Sequence, residues 1–256
     1  MARVLITGSA DGLGLLAGRT LVEQGHRVVL HARSAERAAA ITAALPKCEA
    51  VVVGDVSSMR EMATVADQVN DLGRFDAVIH NVAVGNQEPH RIETVDGLSH
   101  VFAINVVAPY VLTALIERVH RLVYLGSGLH TGGDASLEDL QWEERPWNGA
   151  QAYADSKLHD VILAMAVYRL CPNVLVNAVD PGWVPTRMGG PGAPGDLTEG
   201  ARTQAWLAVS DDPDARVTGQ YLHHQKPGRL SPTANDHEVQ DRLIAYLLDL
   251  AGVSII

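Results

Sequence analysis

The sequence is poor in cysteine, in positive charge and in long apolar runs. Cys48 and Cys171 are its two cysteines, far apart and outside any Cys-x-x-Cys spacing. That scarcity argues against a disulfide framework or a cysteine zinc site and fits a reduced, cytoplasmic chain. The eleven histidines are scattered. The adjacent His223 and His224 would point to opposite faces of a strand, so they would not share a metal, and no metal site is expected. Thirty acidic residues against twenty basic ones give a formal net charge of -10. That balance disfavours nucleic acid and anionic lipid surfaces as partners. No apolar run approaches the ~18 residues of a membrane span; "VILAMAV" (161–167) is among the most apolar and is short. The opening "MARVLITG" runs from apolar residues straight into a glycine turn, without the layout of a secretion signal.

What is present has a regular rhythm. The 256 residues are 47% hydrophobic, enough for one large α/β domain. "RVLIT" (3–7), "HRVVL" (26–30), "EAVVV" (49–53), "DAVIH" (76–80), "RLVYLG" (121–126) and "NVLVNAVD" (173–180) read as strands. Their near-continuous apolarity is that of strands buried on both faces of a parallel sheet. Amphipathic stretches between them read as helices, with Ser34 and Ser57 as N-caps and Gly25 and Gly73 as C-caps. Repeated strand–helix–strand units predict a single doubly wound parallel sheet with helices on both faces. "VPTRMGGPGAPGDLTEGA" (184–201) is rich in glycine and proline and predicts a substrate loop. "DHEVQDRLIAYLLDLAG" predicts a closing helix.

The first strand leads into "TGSADGLG" (7–14), with Gly8, Gly12 and Gly14 where strand turns into helix. Glycines there let a pyrophosphate approach the helix N-terminus, and Gly14 permits close helix–strand packing. The spacing is Gly-x-x-x-Gly-x-Gly rather than Gly-x-Gly-x-x-Gly. The second strand ends in "HARSAER", with Ala32 and Arg33 where an NAD enzyme usually carries an acid for the ribose hydroxyls. Arg33 suits a 2′-phosphate, which predicts NADP(H) over NAD(H), with NAD(H) kept as the second choice. Asp11, inside the glycine turn, is expected to oppose that phosphate. Asp55, after the third strand, suits adenine's amino group or a turn.

Tyr153 and Lys157 in "QAYADSKLHD" lie one helical turn apart, on one face. Ser127 follows the strand "RLVYLG", at the sheet end where open α/β folds bind ligands. A tyrosine hydroxyl ordinarily titrates near pH ~10. A lysine ammonium close by is expected to lower that value, and Ser127 to orient a substrate oxygen.

"TGSADGLG", Asp55, Asn81, Asn105, Ser127, the Tyr153/Lys157 pair and "DPGWVPT" (180–186) stand in the order found in the short-chain dehydrogenase/reductase family. The resemblance covers nearly the whole chain. "GSGLH" (126–130), "LEDLQWEE" (137–144), "AYADSKLHD" (152–160) and "GQYLHHQKPGRLSP" (219–232) resemble the retinol dehydrogenase-like branch, which includes the WW-domain oxidoreductases. The resemblance implies a Rossmann fold over 1–256 and hydride transfer between a nicotinamide and a carbonyl or alcohol. It implies catalytic roles for Asn105, Ser127, Tyr153 and Lys157, with Asn105 holding a water that links Lys157 to solvent. It implies cofactor contacts from Gly8, Gly12, Leu13, Gly14, Arg33, Asp55, Val56, Asn81, Tyr153, Lys157, Pro181, Gly182, Val184 and Thr186. It also implies a homodimer or homotetramer built on the helices that carry Asn105 and Tyr153. Two positions depart from the family: His80 replaces an asparagine and Ala83 a glycine in "HNVA". The alternative is a dinucleotide-sensing protein without catalysis, which typically loses the tyrosine or the lysine; both are kept here. A sugar-nucleotide epimerase usually needs a larger substrate domain than the chain after residue 187 supplies.

Overall fold

Six apolar runs become six parallel strands in the computed structural model, which describes residues 1–117 and 119–255. They are β1 (Arg3–Ile6), β2 (Arg27–Ala32), β3 (Ala50–Val53), β4 (Ala77–His80), β5 (Arg121–Leu125) and β6 (Leu175–Asp180). Two short strands follow, β7 (Gln220–His223), parallel to β6, and β8 (Lys226–Pro227), antiparallel to β7. The sheet order is β3-β2-β1-β4-β5-β6-β7-β8, so the winding reverses between β1 and β4. Clefts for ligands open beyond the C-terminal strand ends at such a reversal.

Among the described residues, eight α-helices cover the sheet: α1 (Gly12–Glu23), α2 (Ala35–Ala44), α3 (Met59–Asp71), α4 (His100–Phe102), α5 (Ala108–Leu115), α6 (Gly149–Leu170), α7 (Leu197–Val209) and α8 (His237–Ala251). Alternate strand residues face two apolar layers. Val4, Ile6, Val28 and Leu30 pack with Ala17 and Leu21 of α1 and Ala205 of α7. Leu5, Val29, Val78 and Val176 pack with residues of α3, α5, α6 and α8.

The helix ends follow local chemistry, with two differences from expectation. Ser34 caps α2 by accepting from Arg37 N–H, and Gly25 and Gly73 take positive φ just past α1 and α3. Ser57 does not cap α3: Ser58 is the cap residue, and Asp96 accepts the first N–H, from Met59. Ser57 instead donates its N–H to Asp55 Oδ1 at 3.0 Å. The irregular stretch after β6 also ends earlier than residue 201. Asp196 accepts from Glu199 N–H and starts α7 at Leu197.

α6 is buried without interruption from Ala152 to Val167. α8 packs along it, and Tyr110 of α5 donates its hydroxyl to the Val253 carbonyl at 2.8 Å. The faces expected to meet a second copy are covered by the chain itself. Among the described residues, no helix is long and apolar enough to cross a membrane, and no group of three His, Cys, Asp or Glu could hold a metal ion. His223 and His224 do not point apart: His224 leaves the strand at φ 48°, and the two rings stack at 3.9 Å.

Candidate active site

The turn between β1 and α1 is built without side-chain room. Gly8 and Gly12 adopt φ of 60° and 54°, in the region that favours glycine. A Cβ on Gly14 would lie 2.6 Å from Asn81 Nδ2 and 2.9 Å from the Gly8 carbonyl. The Asn81 amide donates to the Thr7 and Gly8 carbonyls at 3.0 Å each, tying the end of β4 to the turn. Its Oδ1 is buried with no partner among the described residues. Such a turn presents backbone to a ligand, with a helix N-terminus behind it, and it fits a pyrophosphate.

His31 supports this turn and is not evident in the sequence. It is 2% exposed in β2. Gly8 N–H donates to its Nδ1 at 3.0 Å, so Nε2 carries the proton given to the Gly54 carbonyl at 2.8 Å. Burial holds its pKa below the ordinary histidine value. The neutral ring thus joins three strand ends.

Just past the end of β2, Arg33 is exposed. Asp11 does not stand unopposed there: Arg37 of α2 pairs with its carboxylate at 2.6 Å. Asp55 Oδ1 is taken by the Ser57 turn, while Val56 is buried in the core beside it. On the opposite side, a Cβ on Gly12 would meet Thr186 at 3.5 Å. A Cβ on Gly200 of α7 would meet Leu13, Val184 and the Pro181 carbonyl within 3.1 Å. The segment after β6 therefore lies against the glycine turn. Gly182, at φ 78°, donates its N–H to Asp180 Oδ1 at 2.9 Å, and the Thr186 hydroxyl accepts from Gly189 at 3.0 Å.

Ser127, Tyr153 and Lys157 come together at the end of β5. Tyr153 is 8% exposed, and its phenol lies close enough to the Ser127 hydroxyl to be influenced by it. Lys157 is 1% exposed and donates to the Leu125 carbonyl. The lysine spacing predicts a lowered phenol. Instead Tyr153 is pushed up to about 12, by burial first; Ser127 lowers it, and the charges of Asp160 and Asp180 raise it. The Lys157 ammonium is turned to Leu125 and lies 3.7 Å from Asp160.

Asn105 sits in a π-helical segment, Ala103–Val107, between α4 and α5 rather than in regular helix. Its Oδ1 accepts from Val84 N–H, and its amide donates to the Val84 carbonyl and to Ser156 Oγ, all at 2.9 Å. Both amide hydrogens are thereby used, and the side chain ties the turn after β4 to α6.

The residues between Tyr153 and Lys157 are structural. Asp155 accepts from Asp134 N–H, Gln151 and Arg145 and anchors the segment before α6. His130 accepts from Ser231 N–H through Nε2 and gives its Nδ1 proton to the Ser127 carbonyl at 2.7 Å. His80 is buried against Tyr124 and hydrogen-bonded to Thr113; burial takes it down to about 3, so it is neutral.

Comparison with known proteins leads to the same place. A family model described as short chain dehydrogenase matches residues 2–123. An uncharacterized oxidoreductase of Emericella nidulans is 42% identical, over 100% of this chain and 99% of its own length. A short-chain dehydrogenase of Penicillium rubens is 38% identical over the same shares. Human retinol dehydrogenase 13 is 27% identical over 98% of this chain and 84% of its own. A crystal structure of a Mycobacterium paratuberculosis protein superposes with a TM-score of 0.84 at 24% identity, over 100% of this chain and 95% of that one. A Burkholderia cenocepacia short chain dehydrogenase, crystallised with NADP, has the same fold at a TM-score of 0.70 and 23% identity, over 87% of this chain and 95% of its own. The chain belongs to the short-chain dehydrogenase family.

Proposed function

We propose that the protein is an NADP(H)-dependent oxidoreductase acting on a carbonyl or alcohol of a small or medium apolar substrate, with residues 1–256 as one nucleotide-binding domain. The observation that carries this reading is the Ser127–Tyr153–Lys157 cluster on the same sheet edge as the glycine turn. When bound, the cofactor donates or accepts a hydride. Gly8, Gly12, Leu13 and Gly14 would hold its pyrophosphate, and Asn81 would face the nearby ribose. Asp55 and Val56 would face adenine, and Arg33 a 2′-phosphate. Lys157 would hold the second ribose, and Pro181, Gly182, Val184 and Thr186 would flank the nicotinamide.

Ser127 would orient the substrate oxygen toward Tyr153. A phenol held at about 12 is protonated at neutral pH, the form that gives a proton to an oxygen gaining negative charge. In oxidation the same group takes the proton back, which requires the Lys157 charge to favour the phenolate. The exposed apolar side chains Leu129 and Trp183, 52% and 64% exposed, follow Ser127 and Gly182 closely in sequence and support an apolar substrate. Arg33, the absence of an acid at the end of β2, and relatives of this fold crystallised with NADP support the cofactor choice. The 27% identity to retinol dehydrogenase 13 supports placement near the retinol dehydrogenase-like branch. The test is a panel of ketones, aldehydes and alcohols, followed by cofactor absorbance at about 340 nm. Turnover of a panel member is expected; tight NADPH binding with a silent panel favours a sensor instead.

A further inference from the structure

Behind the proposed proton donor, α6 carries an ionisable group that the chemistry above does not use. Tyr153, Lys157 and Asp160 stand at i, i+4 and i+7, so phenol, ammonium and carboxylate share one helix face. Asp160 is 2% exposed. One of its oxygens lies 3.7 Å from Lys157 Nζ, and the other, Oδ1, is buried without a partner among the described residues. A carboxylate in such a place is costly unless a cation holds it, and a buried ammonium is costly without an anion.

Among the described residues, the neighbouring elements turn no competing cation toward this pair. β5 presents the Tyr124 hydroxyl, bonded to Thr113 of α5, and β7 presents the buried, unpartnered Tyr221 hydroxyl. The end of β6 brings Asp180 near Tyr153, and the π-helical segment brings the neutral Asn105 amide. Asp160 is the charged group that acts on Lys157.

We propose that Asp160 is a positioning residue for the reaction, acting through Lys157. Its carboxylate keeps the buried lysine an ammonium, the charge that the oxidation direction above requires. This rests on the roles given above to Tyr153 and Lys157. Burial pushes Lys157 down and Asp160 up, to about 7, and each charge opposes the shift of the other. Without the carboxylate, desolvation acts on the lysine unopposed, and a neutral amine does nothing to favour a phenolate.

The chain has three lysines, Lys47, Lys157 and Lys226. Protein labelled with carbon-13 at lysine Cε therefore gives three resonances, assigned with Lys47→Arg and Lys226→Arg. Each resonance follows the protonation of its own amine. In Asp160→Asn, which removes charge and keeps shape, the Lys157 midpoint is expected to fall by about one pH unit or more, while Lys47 and Lys226 stay in place. An unchanged or raised Lys157 midpoint overturns the proposal. So does a variant that loses thermal stability alone. If the variant does not fold, the unsubstituted chain decides: the Lys157 resonance is expected to inflect where the Asp160 carboxyl carbon titrates, and a resonance insensitive to that event overturns the proposal. These titrations need no substrate, so their failure is distinct from a failure of the catalytic reading, which shows in turnover by Tyr153→Phe.

Discussion

Replacing His31 with leucine tests how the glycine turn is held. The ring accepts the Gly8 N–H and donates to the Gly54 carbonyl, and leucine does neither. A buried polar group left unpaired costs about 1–3 kcal/mol. Gly54 is buried and loses its partner outright; Gly8 is half-buried and can recruit water. We therefore take about 2 kcal/mol for the first and about 1 for the second. Leucine returns about 1 kcal/mol through its extra apolar burial, leaving a net loss of about 2 kcal/mol. For a chain of this size that lowers Tm by roughly 4–8 °C. The Gly8 peptide is expected to lose its fixed orientation, weakening NADPH binding about tenfold, the equivalent of about 1.4 kcal/mol. Thermal melts and fluorescence titration with NADPH measure both. The pH dependence adds a sign. Burial depresses the folded His31 pKa below the 6.5 of a free histidine. The His31 contribution is then complete above pH 6.5 and declines as pH falls toward the folded value, because the unfolded chain binds the proton first. His31→Leu lacks that component of acid sensitivity. A variant within about 1 °C in Tm, with NADPH affinity within twofold, overturns this role for His31.

Other outcomes follow from the same geometry. Gly14→Ala places a Cβ 2.6 Å from Asn81 Nδ2; it is expected to cost about 1–3 kcal/mol in denaturant unfolding and to weaken NADPH binding, whereas an unaffected variant contradicts the tight packing. Arg33→Ala is expected to weaken NADPH binding about tenfold, by loss of a charged hydrogen bond worth about 1.5 kcal/mol, and to leave NADH binding unchanged; equal losses for the two cofactors contradict the 2′-phosphate assignment. Because α6 is buried from Ala152 to Val167 inside the chain, any dimer seen by light scattering is expected to survive substitutions along α6, and a stable dimer through α6 would require α8 to move away.

Much of this architecture is visible in the sequence because burial on both faces of a parallel sheet leaves near-continuous apolar runs. β7 and β8 are too short for that signal. The start of α7 had one: Asp196 and Glu199 form an Asp-x-x-Glu cap signature inside a stretch dominated by glycine and proline. The Tyr153–Lys157 spacing is legible, and so is Asp160 one turn further on. What spacing does not reveal is desolvation. That Tyr153 is pushed up, and that Asp160 is buried with one oxygen unpartnered among the described residues, depends on β5 and β6 packing against α6. His31 is illegible for a similar reason, since its two partners lie 23 residues away on either side. Asp155 likewise finds its role only when the segment before α6 folds back onto it.

In the proposed reaction, Tyr153 passes the proton that accompanies hydride transfer. Its most direct test is Tyr153→Phe, measured for NADPH affinity by fluorescence and for turnover of an active member of the carbonyl panel at about 340 nm. NADPH binding is expected to be retained, with turnover lower by about 10²–10⁴-fold. Unchanged turnover in a variant that still binds NADPH would contradict it.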